Sequence, residues 1–305
     1  MSAIRTHDVF VTAPDGLRLH VREYGERIAP GLPVVCLPGL ARTADDFERL
    51  GLALASDPDR PRRVLALDYR GRGLSGYDPN PENYAIPVEL ADVVAVLTAR
   101  AVASAVFIGT SRGGLLTMAL AALRPGAIAG AVLNDIGPVI EPQGLMRIKG
   151  YVGKLPQPRS FAEGAEILRR LFSAQFPRLS ETEWLASAHR TWREQKGGLV
   201  LSYDPRLAQA LADLDPANPL PPLWPQFDAL GRIPLMVIRG ALSDILSAAT
   251  VAAMQARRSD IMVLEIPDQG HAPLLAEPDP IARIAAFVGQ CETKQLDMIA
   301  EPAEP

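Results

Sequence analysis

The pentapeptide Gly109-Thr110-Ser111-Arg112-Gly113 lies between an apolar run, residues 105–108, and a helix-like stretch, residues 115–120. Glycines on either side of a serine at such a junction describe a turn too tight for a Cβ at the flanking positions, with the serine left at its tip. The pattern also constrains the surroundings. A short run that is apolar at every position reads as a strand covered on both faces, and a helix must follow it directly.

The rest of the first half repeats that rhythm. Residues 9–12 and 17–24 read as a hairpin around Pro14-Asp15-Gly16. Residues 33–37, 64–67 and 129–134 read as further buried strands, and residues 44–55 and 88–100 as helices. Alternation of this kind predicts an α/β chain with a mostly parallel, doubly wound sheet and helices on both faces. It breaks near residue 141 and resumes near 229, with strands at 233–239 and 261–266 and helices near 248–256 and 280–290. The expected organisation is a core of residues 1–140 and 229–291, a helical cap of residues 141–228 inserted after the sixth strand, and a poorly ordered tail, 292–305.

Composition narrows the partners. The 305 residues are 48% hydrophobic, enough for a large core, and the formal net charge of −4 argues against nucleic acid as a ligand. No apolar run is long enough for a membrane span, and the first residues lack the apolar stretch of a secretory signal. With Cys36 and Cys291 the only cysteines, the expected state is two free thiols in the cytoplasm. No His/Cys/Asp cluster has metal-ligand spacing, so neither metal nor cofactor is expected. Oligomeric state is left open.

A serine hydroxyl needs a neighbouring base to act as a nucleophile. Of the four histidines, His271 alone follows a late strand, in Gly270-His271-Ala272-Pro273. Residues after parallel strands gather at one sheet edge, where His271 and Ser111 can meet. His7, His20 and His189 read as surface or satisfied core residues. The acid that orients the base is expected at Asp244, in the chain order Ser, Asp, His, with Asp135 after residue 134 as its competitor. Asp268 is assigned to the turn before His271. An oxyanion hole would use the backbone N–H groups of Arg112 and of Leu40, in Pro38-Gly39-Leu40.

These motifs, in order, resemble the α/β-hydrolase superfamily. They are Pro38-Gly39-Leu40, the segment Asp68-Tyr69-Arg70-Gly71-Arg72-Gly73-Leu74-Ser75, the Ser111 turn, Arg239-Gly240 leading to Asp244, and Gly270-His271. The resemblance spans residues 7–290 and is nearest to capped bacterial esterases, lactonases and carbon–carbon bond hydrolases. It implies a serine hydrolase with a small-molecule ester or lactone substrate. Cleavage of a vinylogous diketone is the enzymatic alternative, and a non-catalytic small-molecule receptor is the alternative of another class. Two departures stand out: Pro38 where many relatives carry histidine, and Arg112 after the serine.

Gly71-Arg72-Gly73-Leu74-Ser75-Gly76 also matches a dinucleotide fingerprint, but Tyr77-Asp78-Pro79-Asn80-Pro81 follows where a helix should open, so the cofactor reading is rejected. Candidate substrate contacts are Arg112, Trp184, Trp192 and Trp224, with Tyr151, Phe172 and Phe176 as further lining. Arg112 has two readings, a partner for a substrate carboxylate or one half of an internal salt bridge.

Overall fold

A computed structural model describes residues 4–195, 197–231 and 233–300. Strands β1 (Thr6–Thr12), β2 (Arg18–Tyr24), β3 (Val34–Leu37), β4 (Val64–Asp68), β5 (Ala105–Thr110) and β6 (Ile128–Asn134) form one sheet with the later β9 (Leu235–Gly240) and β10 (Met262–Ile266). The strand order is β1-β2-β4-β3-β5-β6-β9-β10. β1 and β2 pair antiparallel, as do β2 and β4; every other pairing is parallel.

The uniform apolarity of β5 follows from its two covered faces. Ala105 and Phe107 join one core cluster, Val106 and Ile108 the other. Helices α1 (Glu48–Ala55), α2 (Ile86–Ala99), α3 (Arg112–Leu123), α8 (Ala248–Arg257) and α9 (Pro278–Ala300) supply the layers. The last of these runs beyond the expected tail boundary at residue 292. Its Glu292 is buried and accepts hydrogen bonds from Leu32 N–H, Arg60 and Arg62, so the chain there is tied to the core. Residues 301–305 lie outside the described part. Cys36 and Cys291 are both free and buried.

Between β6 and β9 stand α4 (Pro142–Tyr151), α5 (Phe161–Phe172), α6 (Glu181–Thr191) and α7 (Trp224–Asp228). Ser160 caps α5 through Glu163 N–H, and Ser180 with Glu183 forms a reciprocal capping box on α6. The segment is not wholly helical. A helical cap was expected throughout, but α6 stops at Thr191, and β7 (Trp192–Gln195) pairs antiparallel with β8 (Gly198–Leu201). Trp192 explains the switch: it is buried with Leu168, Phe176, Trp184, Ala188 and Leu199 in a core built by this segment, against which Leu274 also packs.

Among the described residues no helix is long and apolar enough to cross a membrane, and no cluster of His, Cys, Asp or Glu is arranged to hold a metal ion.

Candidate active site

The turn after β5 has the predicted tightness. A Cβ on Gly109 would lie 2.5 Å from the Gly113 backbone, and one on Gly113 would lie 2.0 Å from Leu37 O. Ser111 itself adopts φ 51° and ψ −111°, a conformation L-residues seldom hold. It is kept there from both sides, since Ser111 N–H donates to Asn134 O at 2.9 Å and its carbonyl accepts from Gly114 N–H at 2.9 Å.

Three side chains meet at this sheet edge. His271 Nε2 lies 2.8 Å from Ser111 Oγ, and His271 Nδ1 lies 2.8 Å from Asp135 Oδ2. The partner of the imidazole is therefore Asp135, the competitor in the same chain order, and not Asp244, the residue expected. The sheet register accounts for this. Thr110 and Asn134 are paired at the ends of adjacent strands, so Ser111 and Asp135 leave the sheet side by side. Asp135 is fully buried at φ 57° and also accepts from Gly240 N–H at 2.8 Å and Ser243 Oγ at 2.6 Å. Asp244 is claimed elsewhere: Arg147 of α4 grips it through Nε at 2.6 Å and Nη2 at 2.8 Å. Burial pushes the Asp244 carboxyl up, but Arg147 outweighs it and holds the pKa below the usual carboxylate range.

The loop bearing His271 is pinned on two sides. His271 N–H donates to Gln175 Oε1 at 2.8 Å, and Asn134 Nδ2 donates to Pro273 O at 3.0 Å. Asp268 in the preceding turn pairs with Arg178. Facing Ser111 is the turn at Gly39 and Leu40, with an ideal Gly39 Cβ placed 3.9 Å from the serine Cβ. Among the described residues no protein acceptor takes Leu40 N–H. Arg112 opens α3, where an N–H has no intrahelical acceptor. Tyr69 Oη donates to Pro38 O at 3.1 Å and Arg72 Nε to Leu40 O at 2.8 Å, which fixes the orientation of this loop's peptides.

The Arg112 side chain is engaged inside the protein and does not border a cavity over Ser111. Its Nε donates to the fully buried Glu89 at 2.5 Å and its Nη2 to Tyr84 O at 2.9 Å, so the internal salt bridge is the reading that holds. The glycine run that resembled a dinucleotide site is packed shut: a Cβ on Gly71 would strike the Tyr84 ring at 2.6 Å. His20 is a satisfied core residue, with Nδ1 2.7 Å from Asp68 and Nε2 3.0 Å from Asp8.

A cavity of about 360 Å³ lies over Ser111 and His271 and is walled by both the core and the inserted segment. Tyr151, Phe172, Phe176 and Trp184 border it. Trp192 does not; it faces a second cavity, of about 290 Å³, that includes neither Ser111 nor His271. Trp224 borders neither cavity and packs edge-on against Phe227 with Arg257 over its ring. Arg42, Asp46 and Arg190 line the main cavity and were not singled out from the sequence, because nothing in their spacing brings residue 190 to residue 46.

A strained serine, an imidazole and a buried carboxylate in hydrogen-bonded sequence at the edge of this sheet define a hydrolase of the α/β type. The chain belongs to the alpha/beta hydrolase family, whose model matches residues 34–285, and it is an enzyme of hydrolase type. It is 35% identical over 283 residues to the 3-hydroxybutyrate-oligomer hydrolase of Cupriavidus necator, covering 90% of this chain and 94% of that protein. It is 26% identical over 261 residues to the 2-(acetamidomethylene)succinate hydrolase of Mesorhizobium japonicum, covering 84% and 85%. A crystal structure of an alpha/beta hydrolase from Novosphingobium aromaticivorans superimposes with a TM-score of 0.86 at 42% identity, covering 93% of this chain and 98% of that one.

Proposed function

We propose that the protein hydrolyses a carboxylic ester through an acyl-enzyme, with Ser111 as nucleophile, His271 as base and Asp135 as the acid that orients it. The observation that carries this reading is the unbroken relay Ser111 Oγ, His271 Nε2, His271 Nδ1, Asp135 Oδ2, with 2.8 Å at each contact. Ser111 Oγ attacks the ester carbonyl as His271 takes its proton, and the tetrahedral oxyanion is held by the N–H groups of Leu40 and Arg112. His271 then passes the proton to the leaving alkoxide, and water attacks the acyl-enzyme with His271 again as base. Asp135 holds Nδ1–H and stabilises the imidazolium, while Ser243 and Gly240 N–H keep its carboxylate in place.

Residues 141–228 act as a cap that closes the cavity over Ser111. The similarity to a 3-hydroxybutyrate-oligomer hydrolase over nearly the full length of both chains supports an ester substrate over a carbon–carbon bond.

Incubation with 3-hydroxybutyrate dimer and trimer, with 4-nitrophenyl butyrate as a general ester, tests the reading. Turnover that disappears in Ser111→Ala, together with fluorophosphonate labelling at Ser111, is the expected result. Absence of both turnover and labelling favours a receptor on a hydrolase fold.

A further inference from the structure

One guanidinium in the cavity wall has more donors than partners. Arg190, near the end of α6, borders the cavity with its side chain 24% exposed. A guanidinium carries five N–H donors in a planar fork. Nη2 uses one of them on Ser187 Oγ at 3.2 Å, whereas Nε is buried without a hydrogen-bond partner. Its ion pair with Asp46 Oδ1 is long, at 3.3 Å.

Asp46 has little left to offer. Arg42, two residues beyond Leu40, already grips both its oxygens, with Nε to Oδ2 at 2.7 Å and Nη2 to Oδ1. Two cations thus share one carboxylate. Burial pulls the Arg190 pKa down and Arg42 and Arg49 pull it down further, against the support of Asp46 and, more weakly, Asp45.

Among the described residues, no other acid around the cavity hydrogen-bonds to Arg190 or forms an ion pair with it. Asp45 pairs with Arg22, and Glu183 is held by Ser180 in the α6 capping box, beside Glu277. Glu48 and Arg49 are exposed. The unmet positive charge therefore lies on the inner wall, between the cap and the loop that carries Leu40.

We propose that Arg190, backed by Arg42, binds a carboxylate of the substrate, so that the ester this enzyme prefers is an anion with its acid group in the same cavity as its scissile carbonyl. The proposal rests on the ester-hydrolase reading above. A carboxylate presents two oxygens to the guanidinium fork, supplies the second anion the arginine pair lacks, and does so out of bulk water. It also fixes where along the substrate the carbonyl meets Ser111.

The test compares esters that differ only in whether the acid is free. Mono-4-nitrophenyl adipate is set against methyl 4-nitrophenyl adipate for a charge on the acyl side, and 4-acetoxybutanoate against its methyl ester for one on the alcohol side. The wild type is expected to favour the charged member of at least one pair in kcat/KM. Arg190→Gln is expected to lower that charged-to-neutral ratio by about 10- to 100-fold, the scale of a hydrogen-bonded charge, with Arg190→Lys falling between. The ratio cancels general damage to the cap.

Binding of adipate itself, read by calorimetry and by the rise in Tm, is the arm that needs no turnover. It is expected in the wild type and lost in Arg190→Gln. No preference for either charged ester, or adipate binding that survives Arg190→Gln, overturns the proposal while leaving ester hydrolysis intact. Adipate binding through Arg190 without cleavage of any ester upholds the anion site and overturns the hydrolytic reading.

Discussion

Arg72 and Glu89 face each other at 2.7 Å with neither side chain exposed to solvent. Glu89 gives its other oxygen to Arg112, and Arg72 holds the carbonyl of Leu40. Both backbones that would offer N–H groups to an oxyanion thus hang from one buried carboxylate. Glu89→Ala would leave two guanidinium groups without their anion. The expected loss is about 3–5 kcal/mol of stability in urea denaturation, the scale for a broken buried pair. A fall in kcat larger than any change in KM is expected in the protein that still folds.

The acid can be assigned by a pair of variants. Asp135→Asn removes the acceptor that holds Nδ1–H of His271 and is expected to lower kcat by about 10³- to 10⁴-fold, as loss of the orienting acid does in serine hydrolases. Asp244→Asn releases Arg147 and is expected to cost at most about tenfold. Steady-state kinetics on one ester decides the matter, and the reverse ranking returns the role to Asp244.

Gly113→Ala tests the packing of the elbow. Its new Cβ would be driven to 2.0 Å from Leu37 O, which is backbone in the central sheet. The backbone must move, so a loss of at least about 2 kcal/mol and of most activity is expected. A Tm within a degree of the wild type would overturn the close packing of this turn.

His20 makes stability depend on pH. Burial alone lowers its pKa, but the hydrogen bonds and charges of Asp68 and Asp8 outweigh that and raise it above 6.5. Its contribution is therefore complete below about pH 6.5, the unfolded value, and is lost as pH rises through the folded value. Urea midpoints measured upward from pH 6 are expected to decline for the wild type and to decline less for His20→Gln. Parallel declines would remove His20 as the cause.

Much of this architecture is written in local pattern. β5 announces itself because both its faces are buried, and Ser111 because only glycine fits beside it. His271 follows from its place after the last strand. What local pattern does not carry is competition between equivalent groups. Asp135 and Asp244 both follow strands and both reach the same edge, and the difference lies in Arg147, which belongs to none of the motifs and stands 97 residues from Asp244 in the chain. Arg112 is settled in the same way by Glu89, on another helix. The β7–β8 ribbon was missed because Trp192 satisfies a helical pattern as well as a strand, and only the core of the cap chooses.

The position of Asp135 also changes what the loop after β9 is for. Freed from serving His271, that loop holds the cap: Asp244 O accepts Gly144 N–H at 3.1 Å, Ile245 O accepts Glu141 N–H at 3.0 Å, and the Asp244 carboxylate clasps Arg147. Ser111 and Asp135 leave adjacent strands of the sheet, and the start of the inserted segment is fastened to the loop after the next strand. Such an enzyme is modular. On the proposed reading its substrate range can drift, or be engineered, by changing what is attached to that loop, so long as Ser243 keeps its bond to Asp135 and the new segment supplies an acceptor in place of Gln175 for the His271 N–H.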